Sequence, residues 1–156
     1  MIRKDRDGRS SVVGRYTIET NQRLEAMLAQ AKAEILAGAH FRTPAYLAQL
    51  HDREPDKLER WLKQAEANQQ IFSIEHQGYA LYPVYAFSRD EDGNLVLCLA
   101  EIIAVLHSKM DGWGMAFWFR SPNNFLVGKR PEDVLNQASE EILLAAREEA
   151  CSIMHG

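Results

Sequence analysis

Apolar residues recur at helical spacing in the first quarter of the chain. This stripe consists of Leu24, Met27, Leu28, Ala31 and Ile35. Thr20 is a residue type that caps the start of a helix, and Gly38 is one that ends a helix in the left-handed conformation. We therefore predict a helix over residues 20–36 whose stripe packs on the rest of the protein or on a second copy. The polar residues 1–15 are expected to form a flexible arm.

Two shorter amphipathic segments follow, separated by the turn residues 52–54. Thr43 and Pro44 suit the start of the first, PAYLAQLH, and Pro55 suits the start of the second, PDKLERWLKQAE. The apolar positions expected between the two helices are Tyr46, Leu47, Leu50, Leu58, Trp61 and Leu62. Two short helices joined by about three turn residues are typical of a helix-turn-helix.

Alternation of apolar and polar residues marks one β segment, over residues 71–85. Its halves, 71–74 and 79–82, flank the turn sequence Glu-His-Gln-Gly at 75–78. A hairpin that directly follows two such helices is a wing. The pattern therefore favours a winged helix-turn-helix over a plain helical hairpin.

The second half of the chain is predicted to be helical. The acidic loop 88–93, SRDEDG, is the best internal boundary. Helices are predicted over residues 95–106, 112–119 and 140 to about 154, the last capped by Ser139. The predicted fold class is therefore mainly α with one β-hairpin, namely an N-terminal helix and winged helix-turn-helix over 16–87 and a small helical domain over 94–156.

Composition is that of a soluble globular protein, with 46% apolar and 26% charged residues. The sequence has no apolar run long enough to span a membrane, and its charged start, MIRKDRDGRSS, does not resemble a secretory signal. Cys98 and Cys151 are expected to be free and buried on apolar helical faces, as in a reducing compartment. These observations predict a cytoplasmic protein without a membrane partner.

The net charge of −4 is unevenly distributed. Residues 1–70 hold 12 basic and 10 acidic side chains, whereas residues 71–156 hold 6 and 12. This asymmetry allows a cationic nucleic-acid face on the first half. The candidate DNA-binding residues are Arg42, Thr43, Lys57, Arg60, Lys63 and Gln64, which are types that reach phosphates and base edges. The alternative is a helical hairpin whose charges are simply solvated.

The sequence carries no signature of catalysis. Its five histidines lack metal-ligand spacing, and neither a phosphate-cradling glycine loop nor a G-x-S-x-G elbow occurs. We therefore expect no cofactor, no metal and no enzymatic activity.

Residues 113–135, WGMAFWFRSPNNFLVGKRPEDVL, combine an aromatic helix with a loop shaped by turn formers. Pro122 and Pro131 restrict the backbone at its two ends, and Gly128 permits a tight turn between them. Such a loop on a rigid scaffold is a place where binding residues gather. The alternative is that the loop only connects two helices.

This stretch resembles the toxin-binding domain of the Xre/MbcA/ParS antitoxin family. The resemblance rests on Trp118-Phe119-Arg120-Ser121-Pro122-Asn123, Leu126, Gly128, Pro131 and Leu135, with Tyr82-Pro83-Val84-Tyr85-Ala86-Phe87 upstream. The segment T-P-x-Y-L-A-x-L, at residues 43–50, is similar to excisionase-like reading heads. Many family members begin with a different DNA-binding domain.

The resemblance implies a non-catalytic, DNA-binding regulator of transcription like the antitoxin of a toxin-antitoxin pair. It implies operator DNA and a cognate toxin as partners, with the toxin contacted by the loop and the last helix. The candidate partner-binding residues are Asn123, Asn124, Lys129 and Arg130. A homodimer is expected, because long apolar stripes on the first and last helices suit a two-fold interface. The alternative function is a protein-interaction module that binds a toxin or another partner without binding DNA.

Overall fold

The computed structural model describes residues 8–89 and 93–152, with side chains from Thr17 onward. Backbone contacts group the chain into two compact units, Met1–Ala37 and Gly38–Gly156. Within the described residues there are seven α-helices and a small three-stranded antiparallel sheet, which confirms the mainly helical class. None of these helices is long and apolar enough to cross a membrane.

The first unit contains one long helix, α1, which spans Gly8–Ala37. The predicted start at Thr20 is therefore wrong. Residues 8–19 contain no proline to interrupt the backbone, and a threonine is tolerated inside a continuing helix. Residues 1–7 of the predicted arm lie outside the described residues. All side chains from Thr17 to Gln30 are exposed, including Leu24, which was predicted to pack.

The sheet of the second unit has the strand order β1-β3-β2. Its strands are β1, Phe41–Arg42, β2, Ile74–His76, and β3, Tyr79–Pro83. A hairpin is present as β2–β3, with Ile74 opposite Leu81 and His76 opposite Tyr79. Its first strand begins three residues later than predicted, so residues 71–73 are not strand, and Glu75 and His76 belong to the strand and not to the turn. The turn is Gln77-Gly78, and both residues have positive φ, as a type I′ turn requires. The added strand β1 has only two residues, too few for an alternating pattern.

The two predicted short helices are present as α2, Pro44–Leu50, and α3, Pro55–Ala67. The Thr43 hydroxyl caps α2, and the Glu54 carboxylate caps α3 by accepting from two backbone N–H groups. The buried residues of the pair are Leu47, Ala48, Leu58, Leu62 and Ala65. Tyr46, Leu50 and Trp61 are exposed, so their predicted burial between the helices is wrong. The buried positions include the small Ala48 and Ala65, which a pattern of large apolar side chains does not mark.

The Glu66 side chain attaches α3 to the sheet. Its carboxylate accepts a hydrogen bond of 2.6 Å from the Ser73 hydroxyl and one of 2.9 Å from the Tyr82 hydroxyl. Burial, followed by this bond to Glu66, raises the pKa of Tyr82, so the phenol stays protonated and remains a donor. These bonds orient α3 about its own axis and determine which of its faces meets solvent.

Four helices complete the unit. They are α4, Leu99–His107, α5, Gly112–Arg120, α6, Pro131–Val134, and α7, Ser139–Ser152. Helix α4 begins four residues later than predicted, because Leu95 pairs instead with Phe87 in an isolated β-bridge. Both cysteines are free, but the expectation of burial is wrong, since Cys98 is only partly buried and Cys151 is exposed.

Aromatic side chains from both sides of the predicted boundary at 88–93 share one core. Phe119 of α5 is fully buried and stacks on Phe72 with ring centroids 5.7 Å apart. It also lies 5.4 Å from the Tyr85 ring and 5.1 Å from the Trp118 ring. Trp118 is also buried. The division into domains 16–87 and 94–156 stays a prediction, and residues 90–92 lie outside the described residues.

Candidate functional site

The structure brings four of the predicted DNA-binding residues to the exposed side of α3. Lys57, Arg60, Lys63 and Gln64 are all exposed. The opposite side of the helix is held by buried Leu58 and Leu62 and by the Glu66 carboxylate, so this face cannot rotate inward. A rigid helix with long polar side chains on one face is suited to contact a nucleic-acid groove.

Two of the cations on this face make contacts within α3. The Lys63 ammonium lies 2.8 Å from the Glu59 carboxylate, and the Arg60 Nε donates to the Asp56 carbonyl at 3.2 Å. Only the first contact is an ion pair, and such a pair on the surface contributes little to stability. The cations can therefore be redirected to phosphates at small cost, but the face is not strongly positive.

The other two predicted DNA-binding residues make local contacts at the start of α2. Arg42 Nη1 donates to the Gly38 and Phe41 carbonyls at 3.3 Å, and its guanidinium lies 5.2 Å from the centre of the Tyr46 ring. The Thr43 hydroxyl accepts from the Tyr46 backbone N–H. Both side chains stabilise the entry to α2, and their DNA contact stays a prediction.

The loop between α5 and α6 is held in one shape by its own hydrogen bonds. The Asn123 side chain accepts from the Phe125 N–H at 2.9 Å, and backbone bonds join Asn123 to Gly128 and Lys129. Asn123 is thus half-buried and stabilises the loop, whereas Asn124, Lys129 and Arg130 are exposed. The structure therefore presents three of the four predicted partner-binding residues to solvent.

Two apolar side chains at the tip of this loop were not predicted as site residues. Val127 is 91% exposed and has φ +56°, and Phe125 is 59% exposed. The left-handed region is a genuine outlier for a β-branched residue and costs of order 1–3 kcal/mol. Strain of this kind clusters at functional sites. The sequence marked Gly128 as the position of the tight turn, so the strain at the preceding valine was not predicted.

A buried cluster of charged side chains at the start of α6 was also not predicted from the sequence. Glu132 is only 8% exposed, and its carboxylate lies 3.4 Å from His40 Nδ1 and 3.6 Å from Arg120 Nη1. Burial raises the pKa of Glu132, opposed by the Arg120 charge. The sequence suggested only that an acidic residue suits the first turn of a helix. Residues 40, 120 and 132 meet through the fold, which no local pattern encodes.

The described residues hold no group of three or more histidine, cysteine or acidic side chains placed to bind a metal ion. Comparison with known proteins finds no matching family model, no matching curated protein and no matching solved structure.

Proposed function

We propose that this protein is a non-catalytic, DNA-binding regulator resembling the antitoxin of a toxin-antitoxin pair. The observation that carries the proposal is the exposed face of α3, where Lys57, Arg60, Lys63 and Gln64 project from a helix fixed to the sheet by Glu66. In this proposal α3 enters the major groove of operator DNA, and the β2–β3 hairpin contacts the adjacent backbone.

The order of elements supports a winged helix-turn-helix. From Phe41 to Pro83 the chain runs strand, helix, helix, strand, strand, and β1 pairs with β3 on the side away from β2. In the proposal the β2–β3 hairpin serves as the wing. Only four residues, 51–54, join α2 to α3, within the range of helix-turn-helix connections.

The proposal is tested by measuring the affinity of the full chain for the DNA upstream of its own reading frame. An unrelated duplex of equal length serves as the control. We expect tighter binding to the upstream DNA, with an affinity that falls steeply as salt increases, because phosphate contacts release counterions. Equal affinity for both duplexes, or no DNA binding at low salt, would contradict the proposal that the protein binds operator DNA.

A second candidate function, binding a protein partner without DNA, is favoured by the loop tip. Phe125 and Val127 expose apolar surface, and Asn124, Lys129 and Arg130 add polar groups in the same short loop. The loop is held by internal hydrogen bonds, so little conformational entropy is lost on binding. In the antitoxin-like proposal the partner at this loop is a toxin encoded beside the gene.

We expect Val127→Asn to raise stability and to weaken partner binding. Asparagine adopts the left-handed conformation more readily than valine, so the variant should gain about 1 kcal/mol in the free energy of unfolding. Because Val127 is exposed, no packing is lost in the isolated protein. Thermal unfolding measures the gain, and co-purification with the neighbouring toxin measures the partner effect.

Val127→Thr is the matched control, since threonine keeps the β-branched strain but replaces a methyl group with a hydroxyl. It should leave the melting temperature close to that of the wild type and still weaken binding of the partner. If Val127→Asn is no more stable than the wild type, the loop stores no strain. If both variants retain the toxin, the partner surface lies elsewhere.

The proposal includes a homodimer formed through α1. Leu24, Met27 and Leu28 are exposed along one side of this helix, and burial of an apolar face stabilises a helix. A two-fold dimer also suits a palindromic operator. Light scattering at roughly 50 µM should return the mass of two chains, and Leu24→Glu with Leu28→Glu should return that of one. A wild-type mass of one chain would exclude the dimer at that concentration.

A further inference from the structure

The exposed face of α3 has two sides of different composition. Residues spaced at i, i+4 and i+7 form one side, which we call the Trp61 side; they are Lys57, Trp61 and Gln64. Residues spaced at i, i+3 and i+7 form the other, which we call the Glu59 side; they are Asp56, Glu59 and Lys63. Arg60 lies between the two sides and lines one surface depression together with the Glu59 side.

The Glu59 side is poorly suited to contact a polyanion. The Lys63 ammonium lies 2.8 Å from the Glu59 carboxylate, and Asp56 lines the same depression. Separating the surface ion pair costs little, but both carboxylates would then lie against phosphates. Like charges that meet across an interface oppose binding. Lys63 therefore cannot approach DNA without bringing repulsion with it.

The Trp61 side carries a cation without such a neighbour. Lys57 forms no ion pair with any residue that the structure describes. Of the two carboxylates in the turn before α3, that of Glu54 accepts hydrogen bonds from the backbone N–H groups of Asp56 and Lys57. The helix dipole offsets its charge there. The other, from Asp52, lines a cleft to which neither Lys57 nor any other residue of the Trp61 side contributes.

Arg53 adds a second cation to the Trp61 side. Its guanidinium lies 5.4 Å from the centre of the Trp61 ring, which also lies 6.5 Å from the buried Phe87 ring. Stacking on a ring holds a guanidinium in place, so less side-chain entropy is lost when it pairs with a phosphate. Despite these two contacts Trp61 is 37% exposed, and an exposed aromatic edge can contact thymine methyl groups in a major groove.

We infer that duplex DNA contacts α3 through the Trp61 side. Lys57 and Arg53 pair with phosphates, and Trp61 and Gln64 meet base edges, whereas Lys63 stays in solvent. The inference rests on the proposed function, which assigned the exposed face of α3 without choosing a side. It adds Arg53 and Trp61 to the residues that contact DNA and removes Lys63 from them.

The test compares Lys57→Gln with Lys63→Gln, because both remove one exposed charge from the same helix, on opposite sides. Fluorescence anisotropy of the labelled upstream duplex gives the affinity of the full chain over a range of salt concentrations. Lys57→Gln should weaken binding by about tenfold at low salt and lower the slope of log affinity against log salt by about 1, since one phosphate contact is lost. Lys63→Gln should stay within about twofold of the wild type and keep its slope.

Arg53→Gln should behave like Lys57→Gln, because it removes the other proposed phosphate contact. Equal losses in the two lysine variants, or a larger loss in Lys63→Gln, would overturn the choice of side and leave DNA binding itself in place. A wild type that binds no DNA at low salt would instead remove the proposed function and this inference with it.

Trp61 has a readout of its own in the NMR signals of the indole N–H groups. The chain has three tryptophans, and Trp61→Phe identifies the signal of Trp61 by its absence. On addition of the upstream duplex, the Trp61 signal should move and that of the buried Trp118 should not. An unmoved Trp61 signal in the DNA-bound protein would contradict its place in the contact.

Discussion

We expect Gly112→Ala to destabilise the protein by about 3 kcal/mol or more. A Cβ at Gly112 would clash with the backbone carbonyl oxygen of Ser73. Glycine to alanine in a helix ordinarily stabilises by about 1 kcal/mol, so the expected effect has the opposite sign. The backbone before β2 cannot yield without disturbing the Ser73–Glu66 hydrogen bond that orients α3.

Gly114→Ala is the matched control in the same helix. Its added Cβ would meet Met110 Cβ at 2.7 Å, so the turn residues before α5 must shift, but the contact is less severe than the clash of a Cβ at Gly112 with the Ser73 carbonyl oxygen. We expect Gly114→Ala to destabilise by about 1–2 kcal/mol, clearly less than Gly112→Ala, measured by urea unfolding of both variants. Equal midpoints for the two variants would show that α5 does not pack on the segment before β2 in this way.

The second large effect concerns DNA. Lys57→Glu combined with Arg60→Glu should lower affinity for the upstream DNA by at least about a hundredfold at low salt, because two phosphate contacts become two repulsions. Both side chains are exposed, so the free energy of unfolding should change by less than about 1 kcal/mol. Fluorescence anisotropy of labelled DNA measures the affinity, and thermal unfolding confirms that the variant is folded.

Lys129→Glu combined with Arg130→Glu is the reciprocal control, since it reverses the same number of exposed charges in the loop before α6. It should bind DNA with an affinity within about threefold of the wild type, and it should no longer co-purify with the toxin. If the two double variants lose DNA affinity equally, the effect comes from overall charge, and the role assigned to α3 is wrong. If neither variant loses DNA affinity, another surface binds the DNA.

The parts of the fold that could be predicted from sequence are those with strong local signals. Thr43-Pro44 and Pro55 mark the starts of α2 and α3, and Gly78 marks the hairpin turn. Each signal acts within about four residues, because caps and tight turns are satisfied by neighbouring backbone groups. The candidate residues on α3 followed from the same periodicity, and their exposure agrees with it.

The parts that could not be predicted depend on contacts between distant segments. Pairing of β1 with β3 joins Phe41 to Pro83, and a two-residue strand has no periodicity of its own. Exposure of Leu50 and Trp61, which the helical pattern placed inside, depends on how α2 and α3 cross. The Glu132 cluster likewise requires three remote segments to meet.

The central claim is that the exposed face of α3 contacts DNA. The most direct measurement is the change in backbone amide NMR shifts of the full chain on addition of its upstream DNA duplex. We predict the largest changes within Pro55–Ala67 and at the hairpin turn Gln77-Gly78, and smaller ones in the loop from Asn123 to Arg130. Changes confined to that loop and α7, or no changes at low salt, would contradict the account.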